Sequence, residues 1–202
     1  VKGEKIIPAN CEFIDIAGIV EWASKGEWLG NKFLANIREA DAILQVVRVF
    51  ENDDIIHVNG KVDPKFDIEV INAELIMADL ETVNKRLSSD AKKARSDKSV
   101  ALTLEVCKKI EEKLNQWILV SNMNLEEEEL LAIKDLHLLT NKEFVYACNV
   151  NEDMMDTSED ELKNILGLSD TKSRVVAICA KLESDMVEMT LEERSEFLSE
   201  MW

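Results

Sequence analysis

An α/β fold on a parallel sheet, carrying an inserted antiparallel α-helical hairpin, is what this sequence predicts. Three observations carry the prediction. Apolar runs alternate with helical periodicity toward both ends of the chain. The run Ala42–Phe50 (AILQVVRVF) is nearly continuous, as in a strand buried on both faces. The middle holds two long amphipathic stretches joined by a polar, lysine-containing link.

In chain order, Cys11–Asp15 (CEFID) reads as a short strand ending in the turn Ile16-Ala17-Gly18, and Gly26–Gly30 as loop. Asn31–Ala40 reads as a helix with Phe33, Leu34 and Ile37 on one face. Glu51–Asp63 is a polar loop holding His57. Asp67–Leu87 repeats apolar residues at three- and four-residue steps, from Ile68, Ile71 and Leu75 to Leu80, Val83 and Leu87. Val100–Ile118 does the same through Leu104, Cys107, Ile110 and Leu114. Leu125–Leu136 reads as a shorter acidic helix. Glu143–Asn149 and Arg174–Cys179 read as strands, Ser158–Leu166 as a helix with Ser158 as N-cap, and Thr190…Glu193 as the capping box of a last helix. The expected division is sheet core over 1–66, helical insertion over 67–139 and sheet core over 140–202.

The chain has 202 residues, with 24 Lys plus Arg against 41 Asp plus Glu, a net charge of −17. Such a surface disfavours nucleic-acid binding over the whole molecule. No apolar run is long enough to span a bilayer and no secretory signal is visible. Cys11, Cys107, Cys148 and Cys179 form no CxxC pair, so a cysteine metal cluster is not expected. Cys11, Cys148 and Cys179 are expected as buried strand residues in a reducing cytosol. The alternative to a buried core role is a redox role for an exposed thiol such as Cys107. A cytoplasmic location is the expectation.

The chemistry-bearing motifs sit at strand ends. Asp15-Ile16-Ala17-Gly18 is a DxxG. In P-loop NTPases such an Asp lies near Mg²⁺ through water, and the Gly amide reaches the γ-phosphate. Asn149-Val150-Asn151-Glu152 follows a later strand, where guanine-nucleotide proteins carry NKxD, and Cys179-Ala180-Lys181 follows the next, where they carry a base-contacting SAK loop.

These residues, with IDIAGIV, LGNKFLANIREADAI, FENDDIIHV and NVNED, resemble the YchF group of Obg-like ATPases over essentially the whole chain. The resemblance implies a P-loop NTPase sheet of the OBG-type G domain, present in part. It implies a ribosome-associated, redox- and stress-linked switch that binds and hydrolyses ATP with Mg²⁺. NxxE in place of NKxD implies adenine over guanine: Asn149 contacts the base, bidentately at N6 and N7, Val150 and Ala180 pack near it, and Glu152 replaces the guanine-reading Asp. Asp15 implies a water-mediated Mg²⁺ contact and Gly18 a phosphate contact. Ile19 stands where Ras-type enzymes place a water-orienting Gln, and His57 matches the family's substitute for it.

Two departures stand out. No GxxxxGK[ST] occurs in the 202 residues, and the family's C-terminal TGS domain would follow Trp202, so the chain reads as an internal piece of the G domain without useful ATPase of its own. Trp22, Trp28, Trp117 and Trp202 align with family glycines in a chain holding only six Gly. Reading of UGA as Trp where the cell reads Gly would account for both. The segment Lys85–Lys98 holds Lys85, Arg86, Lys92, Lys93, Arg95 and Lys98 against Asp90 and Asp97, a local +4 in an acidic chain. Lys92, Lys93 and Arg95 are the candidate contacts to ribosomal RNA backbone at the hairpin tip. The competing functions are a non-enzymatic interaction module working through the hairpin and a GTP-specific Obg-type GTPase.

Overall fold

The structure is a computed structural model and describes residues 10–15, 34, 37–52, 61–91, 93 and 97–201. Gly18, His57, Lys92 and Arg95 lie outside the described residues, as do Trp22, Trp28 and Trp202.

Strands β1 (Ala42–Arg48), β2 (Glu143–Asn149) and β3 (Arg174–Ile178) form a parallel sheet in that order. Ala42 pairs with Glu143 and Val145 with Arg174, so all three strands finish at one edge. The chain between β1 and β2 forms α1 (Pro64–Asp90), α2 (Lys98–Leu114) and the short α3 (Glu127–Ala132). After β2 come α4 (Glu159–Leu166), then β3, α5 (Ala180–Met186) and α6 (Leu191–Met201).

Local chemistry explains the helix boundaries. Asp63 caps α1 by accepting from the Phe66 amide, with Pro64 in the first turn where its missing N–H costs nothing. Asp97 caps α2 through the Ser99 and Val100 amides. Ser158 and Glu161 satisfy each other's backbone amides at the start of α4, and Thr190 and Glu193 do so before α6.

Ile68, Leu75, Ile76 and Val83 of α1 share one buried cluster with Val106, Cys107, Ile110 and Leu114 of α2 and with Phe144, Tyr146 and Cys148 of β2. The hairpin base is thus part of the sheet's own core. α2 packs back against α1. Asp79 of α1 is wholly buried and accepts from the Leu139 amide (2.9 Å), the Thr140 amide (2.8 Å) and the Thr140 hydroxyl (2.7 Å), which pins α1 to the lead-in of β2. Alternation places Gln45, Val47, Tyr146 and Val175 on the covered face, while Leu44, Val46, Val176 and Ile178 on the other face are exposed.

Several expectations are corrected. Residues 10–15 have no regular secondary structure, with Phe13 77% and Ile14 53% exposed. Alternation alone does not make a strand without a ladder partner, and none of the described strands pairs with this segment. Cys11 is exposed, and Cys107 is buried in the α1–α2 interface with its thiol pushed up to about 11 by desolvation. The helix expected over 125–136 breaks into α3 and a 3-10 turn at Lys134–Leu136, ending on His137 in left-handed backbone (φ 47°). Cys179, expected as the last residue of a strand, is the N-cap of α5, and Ala180 and Lys181, expected in a loop, are that helix's first residues.

Trp117 also adopts a left-handed backbone, φ 61°. Its amide donates to Leu114 O (2.9 Å) and the next amide, of Ile118, to Lys113 O (3.0 Å), the pair of bonds that closes a helix through a left-handed residue.

Candidate functional site

The parallel register brings the strand ends together. The Val49 amide donates to Asn149 O at 3.0 Å and the Val150 amide to Ile178 O at 2.9 Å, so the segments leaving β2 and β3 lie side by side at the carboxyl edge of the sheet. In open parallel sheets that edge is where ligands bind.

Asn149 is half-buried, and its Oδ1 accepts from the Ala180 amide at 3.2 Å. Cys179, the residue before α5, offers no side-chain cap, so Asn149 satisfies an amide that its own helix leaves open. This bond fixes the side chain of one loop to the backbone of the other. Val150 is 1% exposed and packs in the core, where it holds the β2 exit in place. Ala180 is exposed beside Asn149.

Glu152 opens a 3-10 turn (Glu152–Met154), and its Oε1 lies 2.9 Å from Lys181 Nζ. That hydrogen bond, followed by the carboxylate's field, raises the Lys181 pKa above its ordinary value. Lys181 was named from sequence only as part of the Cys179-Ala180-Lys181 segment, with no role of its own. The signal for it was its place one residue after Ala180. Beneath the edge, burial pushes the Cys148 thiol up to about 11 and the Tyr146 phenol to about 12, so neither ionises at neutral pH.

The structure therefore brings Asn149, Ala180 and Glu152 together and adds Lys181. Asp15 is exposed, in a segment without regular structure. Among the described residues no cluster of three or more His, Cys, Asp or Glu could hold a metal ion. The residues present fit the base end of a nucleotide, with an amide anchored by an internal bond and polar groups at an open edge. Two clefts of about 430 Å³ open at the opposite edge, where Asn141 and Glu143 lead into β2, and are separate from this arrangement.

At the hairpin, Lys93 pairs with Asp90 at 3.3 Å, and Arg86 pairs with Asp90 and with Asp135. Part of the basic charge expected at the tip is thus internally neutralised, while Lys85 and Lys98 are exposed.

A parallel sheet with polar segments at its carboxyl edge is the architecture shared by nucleotide-binding domains of the GTPase type, and the comparisons with known proteins assign the chain to that class. The family model described as 50S ribosome-binding GTPase matches residues 2–150. The "Ribosome-binding ATPase YchF" of Haemophilus influenzae is 46% identical over all of this chain and 56% of that protein, and the one of Bacillus subtilis is 44% identical with the same coverage. The solved "Structure of the Schizosaccharomyces pombe YchF GTPase" matches with a TM-score of 0.74 and 29% identity, over 92% of this chain and 52% of that one. The chain belongs to the 50S ribosome-binding GTPase family and, within it, to the YchF group. It spans 56% of the length of these curated relatives. No helix among the described residues is long and apolar enough to cross a membrane.

Proposed function

We propose that this chain supplies the base-recognition end of an ATP-binding, ATP-hydrolysing switch that acts on the ribosome. The observation that carries the reading is the Asn149–Ala180 bond, which locks together the two loops that would grip a purine. Glu152, standing where guanine-nucleotide proteins have Asp, favours ATP, and the relatives named as ribosome-binding ATPases point the same way. ATP would bring its triphosphate with Mg²⁺, whose chemistry is charge neutralisation at the transferred phosphoryl group. Of this chain's residues, Asp15 would hold that ion through water, Gly18 would approach the phosphate, and His57 would orient the attacking water in place of the Gln that Ile19 displaces. Ribosomal RNA would meet the hairpin tip through Lys92, Lys93 and Arg95, by backbone contacts alone, since the tip carries no aromatic platform for bases.

The test is calorimetric titration of the complete gene product with ATP and GTP. The wild type should bind ATP more tightly. Asn149→Ala should weaken binding by roughly 1–3 kcal/mol, the cost of leaving a buried polar group unpaired. Equal or tighter GTP binding, or an Asn149→Ala variant that binds as the wild type does, contradicts the reading.

A further inference from the structure

Asn149 reads only one edge of a purine. One lone pair of its Oδ1 is taken by the Ala180 amide, and its Nδ2 donates to none of the described residues. The N7 acceptor that Nδ2 would meet is common to adenine and guanine. The second lone pair of Oδ1 is open to adenine N6–H, and the Watson–Crick edge of the base offers a further, independent means of selection. Guanine presents two donors there, N1–H and N2–H₂, whereas adenine presents an acceptor at N1.

A lone carboxylate at position 152 would welcome the guanine donors. Here that carboxylate is engaged, because Lys181 Nζ lies 2.9 Å from Glu152 Oε1. The two residues follow directly on the Asn149 and Ala180 loops, so the pair sits with the Asn149–Ala180 bond at one edge. We propose that Lys181 is a specificity-determining residue: it holds Glu152 away from guanine donors and places an ammonium donor where adenine offers N1. This rests on the base-site reading above. Both side chains are substantially exposed, 75% for Lys181 and 45% for Glu152, so in the free protein the pair is screened and weak. A seated base excludes water, and the same charges then act more strongly.

The experiment measures ATP and GTP affinities of the complete gene product by direct titration, for wild type, Lys181→Met, Glu152→Gln and the double variant. Lys181→Met keeps the stem and removes the charge, and at an exposed position it does not threaten the fold. The expected result is a fall in the ATP-to-GTP affinity ratio of about tenfold, the scale of one charge-assisted hydrogen bond. Glu152→Gln should keep the preference for ATP. Adding Glu152→Gln to Lys181→Met should recover only part of the ratio, because no carboxylate is left to accept from guanine while the donor to adenine N1 is still missing. Rising salt should erode the wild-type ratio toward that of Lys181→Met. An unchanged ratio in Lys181→Met, or an equal loss for both nucleotides, overturns the proposal and leaves a plain surface ion pair. A wild type that binds neither nucleotide overturns the base-site reading itself, which the ratio alone does not address.

Discussion

Trp117 and Gly167 occupy the same position of the same helix-ending motif. At Gly167, φ is 71°, its amide donates to Asn164 O (3.2 Å), and the Leu168 amide donates to Lys163 O (2.8 Å). At Trp117, φ is 61° and the corresponding bonds reach Leu114 and Lys113. The left-handed region costs an L-residue about 1–2 kcal/mol, and glycine escapes that cost. Trp117 is 63% exposed, so its ring gains little from packing. Trp117→Gly should therefore raise stability by about 1 kcal/mol in urea unfolding, once glycine's own entropy cost is set against the relief of strain. The position asks for glycine, which is what reading UGA as Gly would supply. Codons 22, 28, 117 and 202 of the gene should all be UGA, and UGG at any two of them would defeat the idea.

Asp79 should make stability depend on pH. Burial raises its pKa, and this outweighs the donors at Thr140 and Leu139 and the Arg38 charge, which pull it down. A carboxyl whose native pKa lies above the unfolded value of about 3.9 stabilises fully below that value. The contribution is lost as pH rises through the native pKa. Asp79→Asn keeps one acceptor oxygen and loses the other, and should cost about 1–3 kcal/mol. The penalty should be largest in acid and shrink toward neutrality. Paired urea titrations from about pH 4 to about pH 7 check this. A penalty that grows with pH would show the hydrogen bonds to the carboxylate winning over its burial.

His57→Ala in the complete gene product should lower kcat by roughly 100-fold or more while leaving ATP affinity nearly intact, the pattern of a residue that orients water. Single-turnover hydrolysis alongside equilibrium binding separates the two effects. Unchanged turnover would make His57 an ordinary loop residue.

Charge reversal of Lys92, Lys93 and Arg95 to Glu should weaken co-sedimentation with ribosomes and flatten its salt dependence. Because Asp90 already neutralises Lys93, a Lys93→Glu change alone should do less than Lys92→Glu or Arg95→Glu. Co-sedimentation of the triple variant like the parent, at both low and high salt, would reduce the tip to a solvated turn.

What could be read from sequence was set by how local its cause is. The Ser158–Glu161 and Thr190–Glu193 caps lie three residues apart, and their residue types announce them. The apolar runs of β1, β2 and β3 were legible as strands, but the burial expected on both faces of β1 is not met: Leu44 and Val46 are exposed, because apolar composition does not report which face a helix covers. Cys11–Asp15 has the composition of a strand, but strand formation depends on a distant partner that composition does not report. Asp79 lies on the packed face of α1, and its partners stand 60 and 61 residues away. The role of Lys181 was missed for the same reason: its pairing with Glu152 spans 29 residues and exists only once β2 and β3 are in register.

The central claim is that a purine seats where the loops after β2 and β3 meet, and nuclear magnetic resonance tests it most directly. In the isotope-labelled complete gene product, the Asn149 side-chain amide and the Ala180 backbone amide are followed during titration with ATP and, separately, with inorganic tripolyphosphate. Both signals should shift saturably with ATP and stay in place with tripolyphosphate, which has no base. Saturable ATP binding that leaves both signals unmoved would place the base elsewhere and contradict the account.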